Sequence, residues 1–316
     1  MKKILVTGGG GYVGSKLLAT LVKCGHEVIC IDAFWFGDYL ERAVNLEIIK
    51  GDFRDNLDLV EGCDTVIHLA NIANDPAVDL DPLLSWECNV LGARMLADAC
   101  LSASVSQIIY ASSGSVYGVS QSSNVVESSP LLPISAYNKT KMCAEAIFES
   151  YVAKGVVVHN IRPATVCGFS PRMRLDVAVN LLTFQALSRG KINVLGGSQS
   201  RPNIHIDDMV RVYEFFINNP KLPSGSYNAG FENISISDLA LLISEIIPAQ
   251  ICYQESNDPR SYHQNSSKLL GLGFEPTKTV KNAVVELKDL YERGVLADRQ
   301  DWHTMKAMKA MKLGIK

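Results

Sequence analysis

The chain has 316 residues, 47% of them hydrophobic, and a formal net charge of −3. A chain of this length forms one large domain or two modest ones, with a core that needs no covalent cross-links. The small charge gives no electrostatic reason to expect a nucleic acid or an acidic membrane as partner, and no apolar run reaches the ~20 residues of a membrane helix. The eight cysteines include no Cys-x-x-Cys pair, which favours buried free thiols in a cytoplasmic protein.

Short apolar runs alternate with helical patterns over the first half of the chain. Six runs predict buried strands, at residues 3–7, 27–32, 46–50, 65–70, 107–112 and 156–161. The helical patterns between them include residues 16–24, 89–101 and 138–151. This alternation is typical of an α/β fold in which helices cover both faces of a parallel sheet. Ligands of such sheets bind beyond the carboxyl ends of the strands.

The pattern loosens after about residue 163. Segments rich in Gly, Pro, Ser and Asn then separate helical patterns at 177–189 and 236–247. We expect a first domain over residues 1–165, to which a segment near 204–230 returns, and a smaller mixed α/β lobe over residues 166–316.

The last residues, 305–316, carry lysines among methionines. So short a run at the end of a chain makes a weak membrane-surface anchor. We therefore expect a frayed helix that is exposed to solvent.

A glycine-rich loop joins the first predicted strand to the first predicted helix, in Thr7-Gly8-Gly9-Gly10-Gly11-Tyr12-Val13-Gly14. Gly8 permits the tight turn, Gly11 lets the backbone approach a pyrophosphate, and Gly14 lets the helix pack on the sheet. Backbone N–H groups at the start of the helix then face the phosphate. Because the loop lies between a clear strand and a clear helix, it predicts a bound dinucleotide.

Asp32 ends the second predicted strand, where a carboxylate accepts hydrogen bonds from the adenosine ribose and repels a 2′-phosphate. No Arg or Lys follows it before Arg42. We therefore expect NAD rather than NADP as the cofactor. Asp52 ends the third strand, where it either meets the adenine amino group or belongs to an ordinary Gly-Asp turn.

Tyr137 and Lys141 stand four residues apart in a predicted helix, so their side chains share one face. A free tyrosine titrates near pH 10, and bringing its pKa to neutrality requires about 4 kcal/mol. The ammonium of Lys141 and a positively charged nicotinamide both favour the phenolate. Tyr137 is then the base when an alcohol is oxidised and the acid when a ketone is reduced. Ser112 and Ser113 end the fifth strand, where a hydroxyl can share the substrate proton.

Taken together and in this order, the motifs resemble the extended short-chain dehydrogenase/reductase family, and within it the nucleotide-sugar epimerase/dehydratase group. The resemblance runs from residue 3 to about residue 282. Beyond the residues above, it rests on His68-Leu69-Ala70, Ser112-Ser113-Gly114-Ser115-Val116-Tyr117-Gly118 and Arg162-Pro163. It implies a Rossmann-type doubly wound parallel sheet, NAD as cofactor and a nucleoside-diphosphate sugar as substrate. By analogy it also implies a homodimer through the helices at 89–101 and 138–151.

The resemblance assigns roles by position. Ser113 matches the catalytic Ser/Thr, Tyr137 the base, and Lys141 the lysine that binds the nicotinamide ribose. The implied cofactor contacts are Gly8, Gly11, Tyr12, Val13, Gly14, Asp32, Asp52, Phe53, Leu69, Ala70, Asn71, Asn89, Tyr137 and Lys141. The implied substrate contacts are Ser115, Arg174, Asn180, Arg201 and Arg260. Arginine suits a pyrophosphate because its planar guanidinium forms bidentate charge-assisted bonds. No metal ligand is implied.

Two residues depart from the family pattern. Asn71 stands where the family usually has a second alanine beside the nicotinamide, and Cys167 replaces a common aromatic residue. We expect Cys167 to be a small core residue rather than a reactive thiol.

The family's shared chemistry removes a hydride from a sugar carbon, normally C4, and the fate of the ketone separates the reactions. A 4-epimerase returns the hydride to the other face, whereas a 4-dehydrogenase or 4-ketoreductase stops after one transfer. A 4,6-dehydratase often carries an acidic pair directly after the catalytic Ser/Thr, where this chain has Gly114 and Ser115. We predict a 4-epimerase of the UDP-glucose type. A 4-dehydrogenase or a 4-ketoreductase is the alternative, and a dehydratase is disfavoured; residues 170–176 also resemble a subgroup that includes nucleotide-heptose 4-dehydrogenases. The intact catalytic residues disfavour a non-catalytic scaffold.

Overall fold

The computed structural model describes residues 1–119, 124–255 and 263–311. Its largest element is a sheet of seven parallel strands, which lie in the order 7-6-5-4-1-2-3. The strands are β1 (Lys3–Thr7), β2 (Glu27–Asp32), β3 (Leu46–Lys50), β4 (Thr65–His68), β5 (Gln107–Ala111), β6 (Val157–Pro163) and β7 (Gly225–Ala229). The order reverses between β1 and β4, and ligands of such sheets bind at this reversal.

Helices cover both faces of the sheet because successive side chains of a strand point to opposite faces. The longer helices are α1 (Tyr12–Lys23), α2 (Gly92–Ser102), α3 (Ala136–Glu149), α4 (Ala178–Arg189), α5 (Ile206–Asn218), α6 (Ile236–Ile246), α7 (Val280–Glu292) and α8 (Thr304–Ala310). Ile4 and Val6 pack with α1 and α5 on one face. Leu5, between them, packs with α2 and α3 on the other face.

A smaller lobe follows β6. Thr165–Cys167, Ser200–His205 and Glu232–Ser235 form a mixed three-stranded sheet, and Lys191–Leu195 pairs with Gln250–Gln254. Helices α4, α6 and α7 enclose a separate apolar core there. The predicted fold class is confirmed as α/β, a Rossmann-type doubly wound parallel sheet with a smaller mixed lobe. The predicted domain boundaries stay a prediction. Shorter elements are the strands Asn124–Val125 and His263–Gln264 and the helices Asp75–Leu80, Pro82–Trp86 and Ser267–Gly271.

The predicted helix at residues 89–101 is present, but it starts within a π-helical turn. Glu87–Leu91 forms a π-helical turn, and α2 begins only at Gly92. The turn holds Asn89, whose fully buried amide bonds to both the N–H and the C=O of Ile72. Single π turns of this kind are frequent at functional sites.

The C-terminal segment contradicts the prediction of a helix exposed to solvent. In α8 the side chains of Thr304, Ala307 and Met308 are buried, while Lys306 and Lys309 are exposed. This spacing puts the buried residues on one face of the helix, which packs against the protein. Residues 312–316 lie outside the described residues.

The eight cysteines are free, as predicted, and Cys167 is fully buried in the core. Four are buried, whereas Cys24 is exposed and Cys88, Cys143 and Cys252 are half-buried. Within the described part of the chain, no helix combines the length and the apolar character that crossing a membrane requires.

A buried ion pair ties α3 to the sheet. Arg162 on β6 donates from Nε and Nη2 to the two carboxylate oxygens of Glu145, at 2.9 and 2.7 Å. Both side chains are at most 6% exposed. Ser112, which follows β5, donates to the same carboxylate. The pair therefore fixes α3 against the carboxyl ends of two neighbouring strands.

Replacing Glu145 with Gln should lower the free energy of unfolding by about 3 kcal/mol, because it leaves the Arg162 charge buried without its partner. Urea unfolding measures the change. The matched control is Asp289→Asn in the exposed Asp289–Arg293 pair, where we expect almost no effect. An equal loss in both variants would contradict the importance of the buried pair.

Candidate active site

The glycine loop forms the floor of a cleft of about 600 Å³ at the carboxyl ends of the strands. Gly8 has a φ of +76°, and a Cβ there would lie 2.4 Å from the backbone nitrogen of Ala70. A Cβ at Gly14 would lie 2.6 Å from the carbonyl oxygen of Gly8. Side chains at either position would therefore push the loop apart.

Helix α1 begins directly after Gly11. Because glycine has no side chain, no side chain at this position caps the first N–H groups of the helix. Gly11, Tyr12, Val13 and Gly14 line the cleft. The first N–H groups of a helix have no partner within the helix, and they carry its positive dipole end. This arrangement fits a dinucleotide pyrophosphate.

Asp32 lies beside this loop at the end of β2. Its carboxylate accepts hydrogen bonds from the backbone N–H groups of Gly10 and Phe34, at 2.9 and 2.7 Å. Burial raises the pKa of Asp32 above its ordinary value, and the two backbone bonds oppose that shift. A carboxylate held here would repel a 2′-phosphate, so the geometry fits NAD.

Three predicted cofactor contacts bond or pack elsewhere in the protein. Asp52 forms an ion pair with Arg54 at 2.6 Å and caps the turn Phe53–Asp55. Phe53 is buried in the core, and Asn89 holds the backbone of Ile72. Asn89 thereby holds a residue that lines the cleft, and the contact of all three with the cofactor stays a prediction. Leu69 and Asn71 do line the cleft, and the amide of Asn71 donates to the carbonyl of Ala70.

The predicted catalytic residues Ser113, Tyr137 and Lys141 all line the cleft. Tyr137 lies in the first turn of α3, and Ser113 follows β5. The Lys141 Nζ donates to the carbonyl oxygen of Ala111 at 2.5 Å and lies 5.9 Å from the centre of the Tyr137 ring. The hydroxyls of Ser113 and Ser115 are 2.7 Å apart, and both side chains face the cleft that Tyr137 lines.

The electrostatics of the pair differ from the sequence prediction that Lys141 lowers the pKa of Tyr137. Burial raises the pKa of Tyr137 to about 12, and the groups that oppose this are a hydrogen bond from Ser113 and the charge of Arg174. Burial also lowers the pKa of Lys141 to about 7, although Glu145 opposes that shift. Desolvation therefore pushes both side chains towards their neutral forms.

The predicted substrate residues divide into two sets. Ser115, Arg174 and Arg201 line the cleft. Asn180 is fully buried and bonds to the backbone N–H of Gly168, the hydroxyl of Tyr12 and the carbonyl of Arg174, so it braces the wall. Arg260 lies outside the described residues.

Several residues that line the cleft were missed at the sequence level, namely Trp35, Phe36, Arg172, Asp176, Thr304, Met305 and Met308. Arg172 belongs to the run of residues 170–176 that carried part of the resemblance, but only Arg174 was assigned there. The guanidinium of Arg172 lies 4.0 Å from the centre of the Phe36 ring. For the C-terminal methionines, the only signal in the sequence was their spacing of three residues. That spacing indicates that they share one face of a helix, but it does not show what this face packs against.

Known proteins resemble this chain over most of its length. The model of the NAD dependent epimerase/dehydratase family matches residues 4–230. The uncharacterized UDP-glucose epimerase YtcB of Bacillus subtilis is 31% identical, over 92% of this chain and 99% of that protein. The UDP-glucose 4-epimerase of Lactobacillus helveticus is 27% identical, over 87% of this chain and 92% of that protein. The structure of the UDP-glucuronic acid 4-epimerase of Bacillus cereus, in complex with UDP-glucuronic acid and NAD, has a TM-score of 0.83. It is 27% identical, covering 92% of this chain and 99% of that one.

Replacing Lys141 with Met should make stability less dependent on pH. The unfolded lysine titrates near its ordinary pKa of 10.5, and the folded one near 7. The unfolded state therefore binds more protons between these values, so the cost of burying the lysine is full below pH 7 and disappears above about pH 10.5. From pH 7 to pH 10 the wild type should gain about 3 kcal/mol relative to Lys141→Met.

Denaturant unfolding of both proteins at pH 7, 8, 9 and 10 measures this difference. Other groups titrate in both proteins and cancel in the comparison. A difference that stays constant with pH would mean that Lys141 keeps an ordinary pKa in the folded state.

Proposed function

This chain belongs to the NAD-dependent epimerase/dehydratase family, and on that premise we propose that it is a nucleotide-sugar 4-epimerase that acts through a keto intermediate at C4. The observation that carries the proposal is the convergence of Ser113, Tyr137 and Lys141 in one cleft with the glycine loop. The loop supports cofactor binding, and the three side chains support proton transfer beside it.

The protein side of the cofactor site follows from the geometry above. The N–H groups of Tyr12 and Val13 would hold the pyrophosphate, since that of Gly11 donates to the carbonyl oxygen of Gly8, and Asp32 would hold the adenosine ribose. Lys141 would hold the nicotinamide ribose. Bound NAD supplies a hydride acceptor that also returns the hydride.

Tyr137 performs the proton chemistry in this proposal. It takes the proton of the C4 hydroxyl as the ketone forms and returns a proton to the ketone oxygen when the alcohol is restored. Ser113, whose hydroxyl lowers the pKa of Tyr137 and so favours the phenolate, would share that proton. The favoured form in the protein alone is the protonated phenol, because burial raises its pKa to about 12.

The residues after Ser113 argue against a 4,6-dehydratase. A Cβ at Gly114 would lie 3.0 Å from the side-chain oxygen of Gln264 and 3.1 Å from the carbonyl oxygen of Pro163. A side chain at this position would be tightly packed, and neither Gly114 nor Ser115 is a carboxylate. Arg174 and Arg201 line the cleft and would supply positive charge for a nucleoside diphosphate, and the contact of Arg260 stays a prediction. The names of the relatives point to UDP-glucose as the first substrate to test.

We further propose that the enzyme is a cytoplasmic homodimer. The helical segment from residue 82 to α2 exposes Leu83 (62%), Trp86 (38%) and Leu91 (55%) to solvent. Large apolar side chains that cluster on a surface are typical of protein interfaces. A two-fold contact through this segment and α3 would cover them.

The function is tested by incubating the purified protein and NAD with a panel of UDP-, GDP- and dTDP-sugars. The epimerase should isomerise a sugar, UDP-glucose first, without net reduced nicotinamide in the absorbance spectrum. Accumulating reduced nicotinamide or ketone would instead indicate a 4-dehydrogenase.

Tyr137→Phe should lower kcat by about 10²–10⁴-fold while NAD still binds, because it removes the acid–base group.

Tyr110→Phe is the matched control for this variant. Tyr110 is fully buried on β5, and its hydroxyl has no hydrogen-bond partner among the described residues, so kcat should stay near the wild-type value. A Tyr137→Phe protein with wild-type turnover would overturn the proposal.

Leu91→Glu should convert the homodimer to monomers, because a charge cannot be buried in an apolar contact without a partner. Light scattering after size-exclusion chromatography gives the mass. The control is Leu195→Glu, at an equally exposed leucine (55%) of the second lobe, which should remain dimeric. A monomeric wild type would contradict the dimer.

A further inference from the structure

The C-terminal segment from Trp302 to Met308 lies against the cleft. Thr304, Met305 and Met308 line it, although this segment lies far beyond residue 230, where the match to the family model ends. None of these residues has a part in the chemistry described above.

The segment is anchored to the second lobe at its start. The Trp302 side chain is 4% exposed and packs in an apolar cluster with Tyr12 and Leu175. The carbonyl oxygen of Trp302 accepts a hydrogen bond from the backbone N–H of Leu175, at 2.9 Å. The position of α8 is therefore set before the helix begins.

Thr304 connects the segment to the polar wall of the cleft. Its hydroxyl accepts a hydrogen bond from Arg172 Nη2 at 3.4 Å, and its backbone N–H donates to Asp176 at 3.3 Å. Asp176 also pairs with Arg174, at 2.9 Å. Arg172 is 2% exposed, and its Nε has no hydrogen-bond partner among the described residues. The Thr304 hydroxyl thus helps to orient a buried cation in the cleft wall.

The two methionines form an apolar wall beside the catalytic tyrosine. Met308 is 3% exposed and packs on Ile72, Ala77 and Val78. Met305 and Tyr137 are partly buried against the same cluster. A sugar that reaches Tyr137 therefore meets flexible apolar side chains on this side.

We propose that residues 302–308 are the specificity-determining wall of the cleft. Thr304 is a positioning residue for Arg172 and Asp176, and Met305 and Met308 limit the size of the sugar that reaches Tyr137. The inference rests on the proposed function only in taking a nucleotide sugar as the substrate.

The test compares Met305→Ala/Met308→Ala with the wild-type holoenzyme on two probes, UDP-glucose and the bulkier UDP-N-acetylglucosamine. Removing both thioether side chains opens the wall, so the ratio of kcat/KM for the bulkier sugar to that for UDP-glucose should rise about tenfold. Calorimetry should show weaker binding of UDP-glucose and an unchanged Kd for NAD. Lys306→Ala/Lys309→Ala, on the exposed face of the same helix, is the matched control and should change neither value.

Thr304 is tested separately, in case the double variant unfolds. Thr304→Val keeps the shape and the backbone bond to Asp176 but removes the acceptor for Arg172, so KM for UDP-glucose should rise about tenfold. Thr304→Ser should restore it. The proposal would be overturned if a folded Met305→Ala/Met308→Ala protein kept the wild-type ratio of kcat/KM for the two sugars. It would also be overturned if Lys306→Ala/Lys309→Ala changed that ratio as much as the methionine variant does.

These outcomes are distinct from a failure of the proposed function. If the wild type stops after one hydride transfer, the epimerase reading fails, yet KM and sugar binding still report on the wall. If another sugar of the panel binds more tightly than UDP-glucose, it and its N-acetylated form replace the two probes.

Discussion

Two buried titratable side chains on helix α3 hold Tyr137, the proposed catalytic residue, in place. The Nζ of Lys141 donates to the carbonyl oxygen of Ala111 at the end of β5, and the carboxylate of Glu145 pairs with Arg162 on β6. Both are taken out of water, which costs free energy that an apolar pair would not. In return α3 is fixed across the carboxyl ends of two adjacent strands. Tyr137, one turn earlier, is therefore held beside Ser113 and above the glycine loop.

The same burial sets the electrostatic character of the site. It raises the pKa of Tyr137 to about 12 and lowers that of Lys141 to about 7. The protein alone thus favours a protonated phenol, which suits the step that gives a proton to a ketone. Deprotonation of Tyr137 depends on groups that stabilise its phenolate. Within the protein, Ser113 and Arg174 lower the pKa of Tyr137 in this way. Arg174 belongs to the second lobe, so both lobes contribute to the electrostatic surroundings of Tyr137.

The cleft is built from three separate parts of the chain. The strand ends of the large sheet supply the glycine loop and the proposed catalytic residues, and the second lobe supplies Arg172, Arg174 and Asp176. The C-terminal segment closes the third side and binds to both through Thr304 and Met308. The polar side chains here mostly bond to one another, which keeps the wall rigid before any sugar binds.

The sequence by itself determined the first six strands of the large sheet, several of the helices, the glycine loop, Asp32 and the Tyr137–Lys141 spacing, but not the seventh strand or the strands of the second lobe. These features are local, since strand and helix periods and the four-residue spacing of a helix face can be read without knowing what packs nearby. Only the tertiary structure decided that Asn89 and Asn180 bond to the protein, that the C-terminal methionines face the cleft, and that burial rather than Lys141 controls the pKa of Tyr137. Burial and hydrogen-bond partners depend on residues that are far apart in the chain and come together only when it folds. The order of the residues does not state which of them will meet, so these features could not be read from the sequence.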